Sequence, residues 1–191
     1  MTRGASARLF AAVDPPPEAG AELCAWARAL PVTRSHRPLR VLEPDSLHLT
    51  LCFLGSRPVA DIDAIAETVE RSAGPLGELR VGAPVLLPPR RPRALALEVH
   101  DDGGLGRLYG RLLAELAILS DWRPERRRLR PHITVARMRG DARTGLPPTL
   151  AAPAPALAFS PHSLVLYRSW LAPAGARYEA LVESELPGAP G

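Results

Sequence analysis

The sequence has no lysine; all 24 of its basic residues are arginine. With 22 prolines and abundant alanine this reads as a coding bias towards G and C, so the net charge of +4 is only a mild sign of an anionic partner. Cysteine is scarce. Cys24 and Cys52 show no C-x-x-C spacing and cannot build a disulfide framework or a four-ligand zinc site, so a reducing, cytoplasmic setting is expected. Aromatics make up 5% of the chain, few for a surface that binds by stacking bases. Long apolar runs are missing too. Leu9 to Val13 is too short for a signal-peptide core, and Arg107 and Arg111 interrupt the stretch from Leu105 to Leu119, so no membrane association is expected. What is present is an ordinary globular composition, 46% apolar and 23% charged over 191 residues. That is enough for one domain or two small lobes sharing a core.

Periodicity gives alternating strands and amphipathic helices. Arg8-Leu-Phe-Ala-Ala-Val13 reads as a strand stopped by Asp14-Pro-Pro-Pro17, and Leu23, Trp26, Ala27 and Leu30 follow with helical spacing. Leu47 to Leu54 alternates with period two and ends at Gly55; Ile62, Ile65, Ala66 and Val69 mark a second helix. The programme then restarts. Arg93 to Val99 reads as a strand, Leu105 to Leu119 as the strongest helix, and Pro131 to Arg137 as another strand. The first strands lie 85 residues apart and the later ones 84, which suggests an internal duplication. Pro147 to Pro155 reads as a surface connection, and Leu164 to Leu171 with Tyr178 to Val182 as a closing hairpin around Pro173-Ala-Gly175. Residues 1–186 are expected to form one bilobal domain, and 187–191 a disordered tail.

The chemistry lies in two tetrapeptides on the later strands, His48-Leu-Thr-Leu51 and His132-Ile-Thr-Val135. Residues two apart on a strand share a face, so His48 joins Thr50 and His132 joins Thr134. Leu47, Leu49, Leu51 and Phe53 are then expected to face the core, as are Ile133 and Val135. One His-x-Thr arises easily by chance; two in matching strand contexts do not. If the lobes pack about a pseudo-twofold axis, both pairs face one cleft. Two opposed imidazoles suit phosphodiester hydrolysis, one taking a proton from water and the other giving one to the departing alkoxide. The threonine hydroxyls can bond non-bridging phosphate oxygens whose charge grows in the transition state. The scheme calls for no metal and no cofactor.

These motifs, with Arg8-Leu-Phe-Ala-Ala-Val-Asp14, the extended His48-Leu-Thr-Leu-Cys-Phe-Leu-Gly55 and Arg130-Pro-His-Ile-Thr-Val-Ala-Arg137, and Leu166-Tyr-Arg-Ser169, resemble the 2H phosphoesterase superfamily. Within it the chain is most similar to the RNA 2′,3′-cyclic phosphodiesterase, or 2′-5′ RNA ligase, family. The resemblance implies an α+β fold of two pseudo-symmetric lobes, each an antiparallel sheet flanked by helices, with a central cleft. It assigns His48 as proton donor to the leaving 3′ oxygen and His132 as the base, and implies a 2′-phosphomonoester product. Some relatives also join RNA halves through a reversible 2′-5′ linkage. The partner implied is an RNA end or nucleotide carrying a 2′,3′-cyclic phosphate, with the enzyme a monomer. The alternatives are a small cyclic nucleotide, ADP-ribose cyclic phosphate or 2′-5′ oligonucleotide as substrate, or a non-catalytic RNA-binding module.

Seven arginines and one glutamate lie between Arg123 and Arg139. Arg128 and Arg130 share the parity of His132 and are the candidate substrate contacts; Arg137 has the opposite parity and is expected to face away. His36, His100 and His162 lack any such context and read as surface histidines.

Overall fold

In chain order the computed structural model runs β1 (Ser6–Asp14), α1 (Pro17–Ala29), α2 (Pro31–Ser35), β2 (Leu39–Val41), β3 (Leu49–Pro58), α3 (Ile62–Ser72), β4 (Leu79–Leu87), β5 (Ala94–His100), α4 (Gly104–Leu119), β6 (His132–Met138), β7 (Ala158–Phe159), β8 (Ser163–Ala172) and β9 (Gly175–Glu185). The structure describes residues 5–35, 38–119, 122–123, 128–139, 146, 150, 152–172 and 175–188. His36, the tip of the closing hairpin and residues 147–149 and 151 of the Pro147 to Pro155 connection lie outside the described residues.

The strands pair antiparallel in the order β7-β4-β5-β6-β3-β1-β8-β9, with β2 beside β6. The α+β class is as expected, and the sheets of the two halves are continuous. β3 and β6 meet at Leu49 opposite Ile133, and β2 adds its own pairs to β6. Leu49 and Ile133 are the middle residues of the two His-x-Thr motifs, so their pair marks the pseudo-twofold axis. The two halves match in register. Ala11 faces Cys52 and Ala12 faces Thr50 in the first half; Leu95 faces Ala136 and Ala96 faces Thr134 in the second. Every number shifts by 84, so the 85-residue spacing read for the first strands is one too many. Each half also carries a β-bulge at the equivalent place, with Leu51 and Val135 as the extra residues.

One face of this sheet carries Leu9, Leu49, Leu51, Leu95, Leu97, Ile133 and Val135 into a core shared with Leu23, Ala27, Ile65, Val69, Leu105, Leu108, Leu112 and Leu116 of the helices. α1 packs on β6 and β2, α3 on β8 and β9, and α4 on α3. Leu49, a fully buried leucine, is representative: burying such a side chain is worth roughly 1.5–3 kcal/mol. The opposite face, with both motif pairs, stays open. α4 starts where Gly103, at φ +87°, turns the chain and the Asp101 carboxylate accepts from the Leu105 amide at 2.7 Å. β4 was not legible as a strand, because Gly82 and Pro84 interrupt its pattern. β3 continues past Gly55, which adopts φ +73° beside a second irregularity. Pro187 and Gly188, placed in a tail by the sequence pattern, pair with Leu76; its amide donates to the Pro187 carbonyl at 3.1 Å.

Candidate active site

Because Leu49 and Ile133 pair antiparallel, continuing the register by one residue sets His48 across from Thr134 and Thr50 across from His132. All four line one cleft of about 1130 Å³. The two imidazoles are held alike. His132 Nδ1 donates to the Arg130 carbonyl at 2.7 Å. The His48 ring bonds the backbone of Ser46, and since that bond favours the protonated ring, the Ser46 carbonyl is the acceptor. Ser46 and Arg130 are themselves 84 residues apart, so the anchor belongs to the repeat. With Nδ1 of His132 donating to a carbonyl, Nε2 of the neutral ring is the one that can accept a proton.

The surroundings of the two rings differ. His48 lies in an aromatic wall, with ring centroids 5.0 Å from Phe10, 5.0 Å from Tyr178 and 5.8 Å from Tyr167. Its pKa is lowered to about 4, chiefly by burial there and next by the Arg137 guanidinium; the Ser46 bond opposes, and His132 adds a smaller repulsion. Free His48 is therefore neutral at pH 7. Cys52 also lines the cleft, but burial pushes its thiol up to about 12, which leaves no thiolate for nucleophilic work.

Arg128 and Arg130 line the cleft from the segment before β6. Arg137 lines it too, contrary to the parity argument. The bulge at Val135 supplies one extra residue, so the face that carries His132 and Thr134 continues at Arg137. The bulge at Leu51 does the same for Phe53, which is 56% exposed in the cleft rather than packed in the core. Adjacent apolar pairs, Leu51-Cys52 and Val135-Ala136, were the available signal, since each breaks a strict alternation. Leu47, Leu49, Leu51, Ile133 and Val135 are buried as the pattern requires. His100 and His162 lie on the surface, 3.9 Å from Glu98 and 3.7 Å from Glu183.

A largely buried carboxyl lies behind the aromatic wall. The Tyr167 hydroxyl donates to Asp14 Oδ2 at 2.5 Å, while Asp14 Oδ1 is buried without a partner. The Asp14 pKa is raised to about 6, chiefly by burial; the tyrosine bond opposes, Glu183 adds to the rise and His162 works against it. Burial and Asp14 together push the Tyr167 phenol well above its ordinary range. No sequence spacing connects these two residues, which lie 153 positions apart.

An antiparallel sheet folded about a pseudo-twofold axis, with two matched His/Thr pairs in one open cleft, defines a two-histidine phosphoesterase architecture. The model of the 2′-5′ RNA ligase superfamily matches residues 15–171, and the chain belongs to that family. It is 31% identical to the RNA 2′,3′-cyclic phosphodiesterase of Thermus thermophilus, over 95% of this chain and 91% of the relative. A crystal structure of a protein from Thermus thermophilus superposes with a TM-score of 0.74 at 29% identity, covering 95% of this chain and 98% of that one. LigT of E. coli complexed with 3′-AMP superposes with a TM-score of 0.76 at 26% identity, covering 95% and 99%. Among the described residues no helix is long and apolar enough to cross a membrane.

Proposed function

We propose that the chain is a phosphodiesterase that opens RNA 2′,3′-cyclic phosphate ends to 2′-phosphomonoesters, without a metal, through His48, Thr50, His132 and Thr134. The observation that carries this reading is the matched anchoring of two imidazoles, each tied to the carbonyl two residues before it, beside two threonines in one cleft. Water attacks phosphorus as its proton passes to His132 Nε2. The bond from phosphorus to the 3′ oxygen breaks, and His48 gives that oxygen a proton. Thr50 and Thr134 donate to the non-bridging oxygens, and Arg137, Arg128 and Arg130 supply positive charge around them. Residues 1–186 act as one unit, because each half contributes one histidine. The enzyme works as a monomer in the cytoplasm, which suits two unpaired buried cysteines. With a 5′ hydroxyl in place of water, the same groups would join RNA through a 2′-5′ linkage.

His48 takes up its proton together with the substrate. The phosphodiester anion offsets the Arg137 charge and favours imidazolium, so the pKa of His48 rises from about 4 on binding. If His48 is the acid, the alkaline limb of kcat lies at higher pH than that of kcat/KM, because the former reports the complex and the latter the free enzyme. The low pKa of free His48 favours one second reading, with the histidine roles exchanged, in which the limbs of that pair are reversed. The decisive experiment is an oligonucleotide ending in a 2′,3′-cyclic phosphate, incubated under EDTA with the product identified. A 2′-phosphate supports the reading; no turnover by the wild type, or turnover only with added metal, overturns it.

A further inference from the structure

Position by position, the duplication leaves one place filled in the first half and open in the second. In the first half Phe10 faces Tyr167 across β1 and β8, and Tyr178 closes on Phe10 with ring centroids 5.4 Å apart. Asp14 then accepts from the Tyr167 hydroxyl. In the second half the residue 84 places after Phe10 is Ala94, whose neighbour across β5 and β4 is Leu87, and the residue 84 places after Asp14 is Glu98. Small and aliphatic side chains stand where the first half has rings. A groove of about 680 Å³ opens there, walled by Val85 and Leu87 and joined to the cleft at Leu129, Arg130 and His132.

We propose that this groove is a second nucleotide subsite, in which the base next to the reacting nucleotide lies where the first half keeps Tyr167. The inference rests on the phosphodiesterase reading above. The groove falls in the volume range of small-ligand sites. Its aliphatic walls suit the faces of a base. Glu98 pairs with His132 in the register and so shares the cleft face, where its carboxylate accepts from a base N–H or ribose hydroxyl as Asp14 accepts from Tyr167. His100 Nε2 lies 3.9 Å from Glu98. A phosphate is repelled from this carboxylate, which places the linking phosphate at the mouth, beside Arg130. The enzyme therefore favours a chain of at least two nucleotides over a mononucleotide.

The test compares kcat/KM on a dinucleotide ending in a 2′,3′-cyclic phosphate with that on a nucleoside 2′,3′-cyclic phosphate, for wild type, Val85→Trp and Glu98→Gln. Val85→Trp fills the groove with a ring of the protein's own. The wild type is expected to favour the dinucleotide by about tenfold, roughly 1.4 kcal/mol. The preference falls to near unity in Val85→Trp and is reduced in Glu98→Gln, with mononucleotide turnover retained. Both rates are read on one preparation, so their ratio holds even if Val85→Trp is only partly folded; if it does not fold, Glu98→Gln decides. Equal rates in the wild type, or a preference that the variants keep, overturns the subsite while leaving the phosphodiesterase reading standing. A wild type that opens neither substrate refutes that reading and the subsite with it.

Discussion

The two halves of the sheet share a register, a bulge and a histidine anchor, yet they place their histidines in opposite surroundings. Phe10 lies opposite Phe53 in the first half, and the equivalent pair in the second is Ala94 opposite Arg137. His48 is consequently walled by rings and loses hydration, whereas His132 sits among arginines at the mouth of a groove. Because Arg137 lies in the second half and acts on His48 in the first, the asymmetry of each half is felt across the axis. A repeated scaffold can thus place two imidazoles in different surroundings without changing how either is held, and burial and charge then lower the pKa of His48.

The largest effects come from removing either imidazole. His48→Ala and His132→Ala are each expected to lower kcat by roughly 10²–10⁴-fold, measured on a cyclic-phosphate oligonucleotide. Full activity in both would end the two-histidine mechanism. Next comes Arg137. Arg137→Ala is expected to lower kcat by roughly 10²-fold, as for loss of one donor to a developing oxyanion. It should also raise the pKa of His48 in the free enzyme, followed by NMR titration of the ring, because Arg137 is the second cause of its depression. An unchanged His48 titration would mean that the halves are not coupled.

Two buried groups give opposing slopes of stability against pH. The pKa of folded His48 is about 4 against an ordinary 6.5, so its contribution is present above pH 6.5 and is lost as pH falls towards 4. Folded Asp14 has a pKa of about 6 against an ordinary 3.8, so its cost appears as pH rises from 3.8 through 6. Each slope is worth about 1.4 kcal/mol per pH unit at most, and between pH 4 and 6 they oppose one another. Urea unfolding should accordingly show a wild type whose stability varies little over that window. Asp14→Asn leaves His48 alone and should lose stability towards pH 4, while being more stable than wild type at pH 7 by about 1–3 kcal/mol. His48→Gln leaves Asp14 alone and should gain stability as pH falls from 6 to 4. The smallest effect is expected from Tyr167→Phe, which keeps the ring beside His48 and removes the hydroxyl that Asp14 accepts from; a few-fold change in kcat and a further rise in the Asp14 pKa are its signature.

Much of this site was legible in the sequence. His48, Thr50, His132 and Thr134 follow from period-two alternation, and the repeat spacing already placed them in equivalent settings. Arg128 and Arg130 followed from the same parity and do line the cleft. Arg137 and Phe53 did not, because a single extra residue at Val135 or Leu51 inverts every later assignment of face. The Pro- and Gly-containing strand β4 escaped pattern reading for a similar reason, its pairing with β5 resting on neighbours that local sequence does not name.

By itself the sequence determined the duplicated strand–helix plan, the chemistry-bearing pairs and the buried stripes, since these depend on local period and residue type. Only the tertiary structure decided that Tyr167 meets Asp14 and backs His48, and that Arg137 lowers the pKa of His48. Those outcomes depend on which distant strands pair and where a bulge falls, and the resulting burial and charge set the proton affinity of His48.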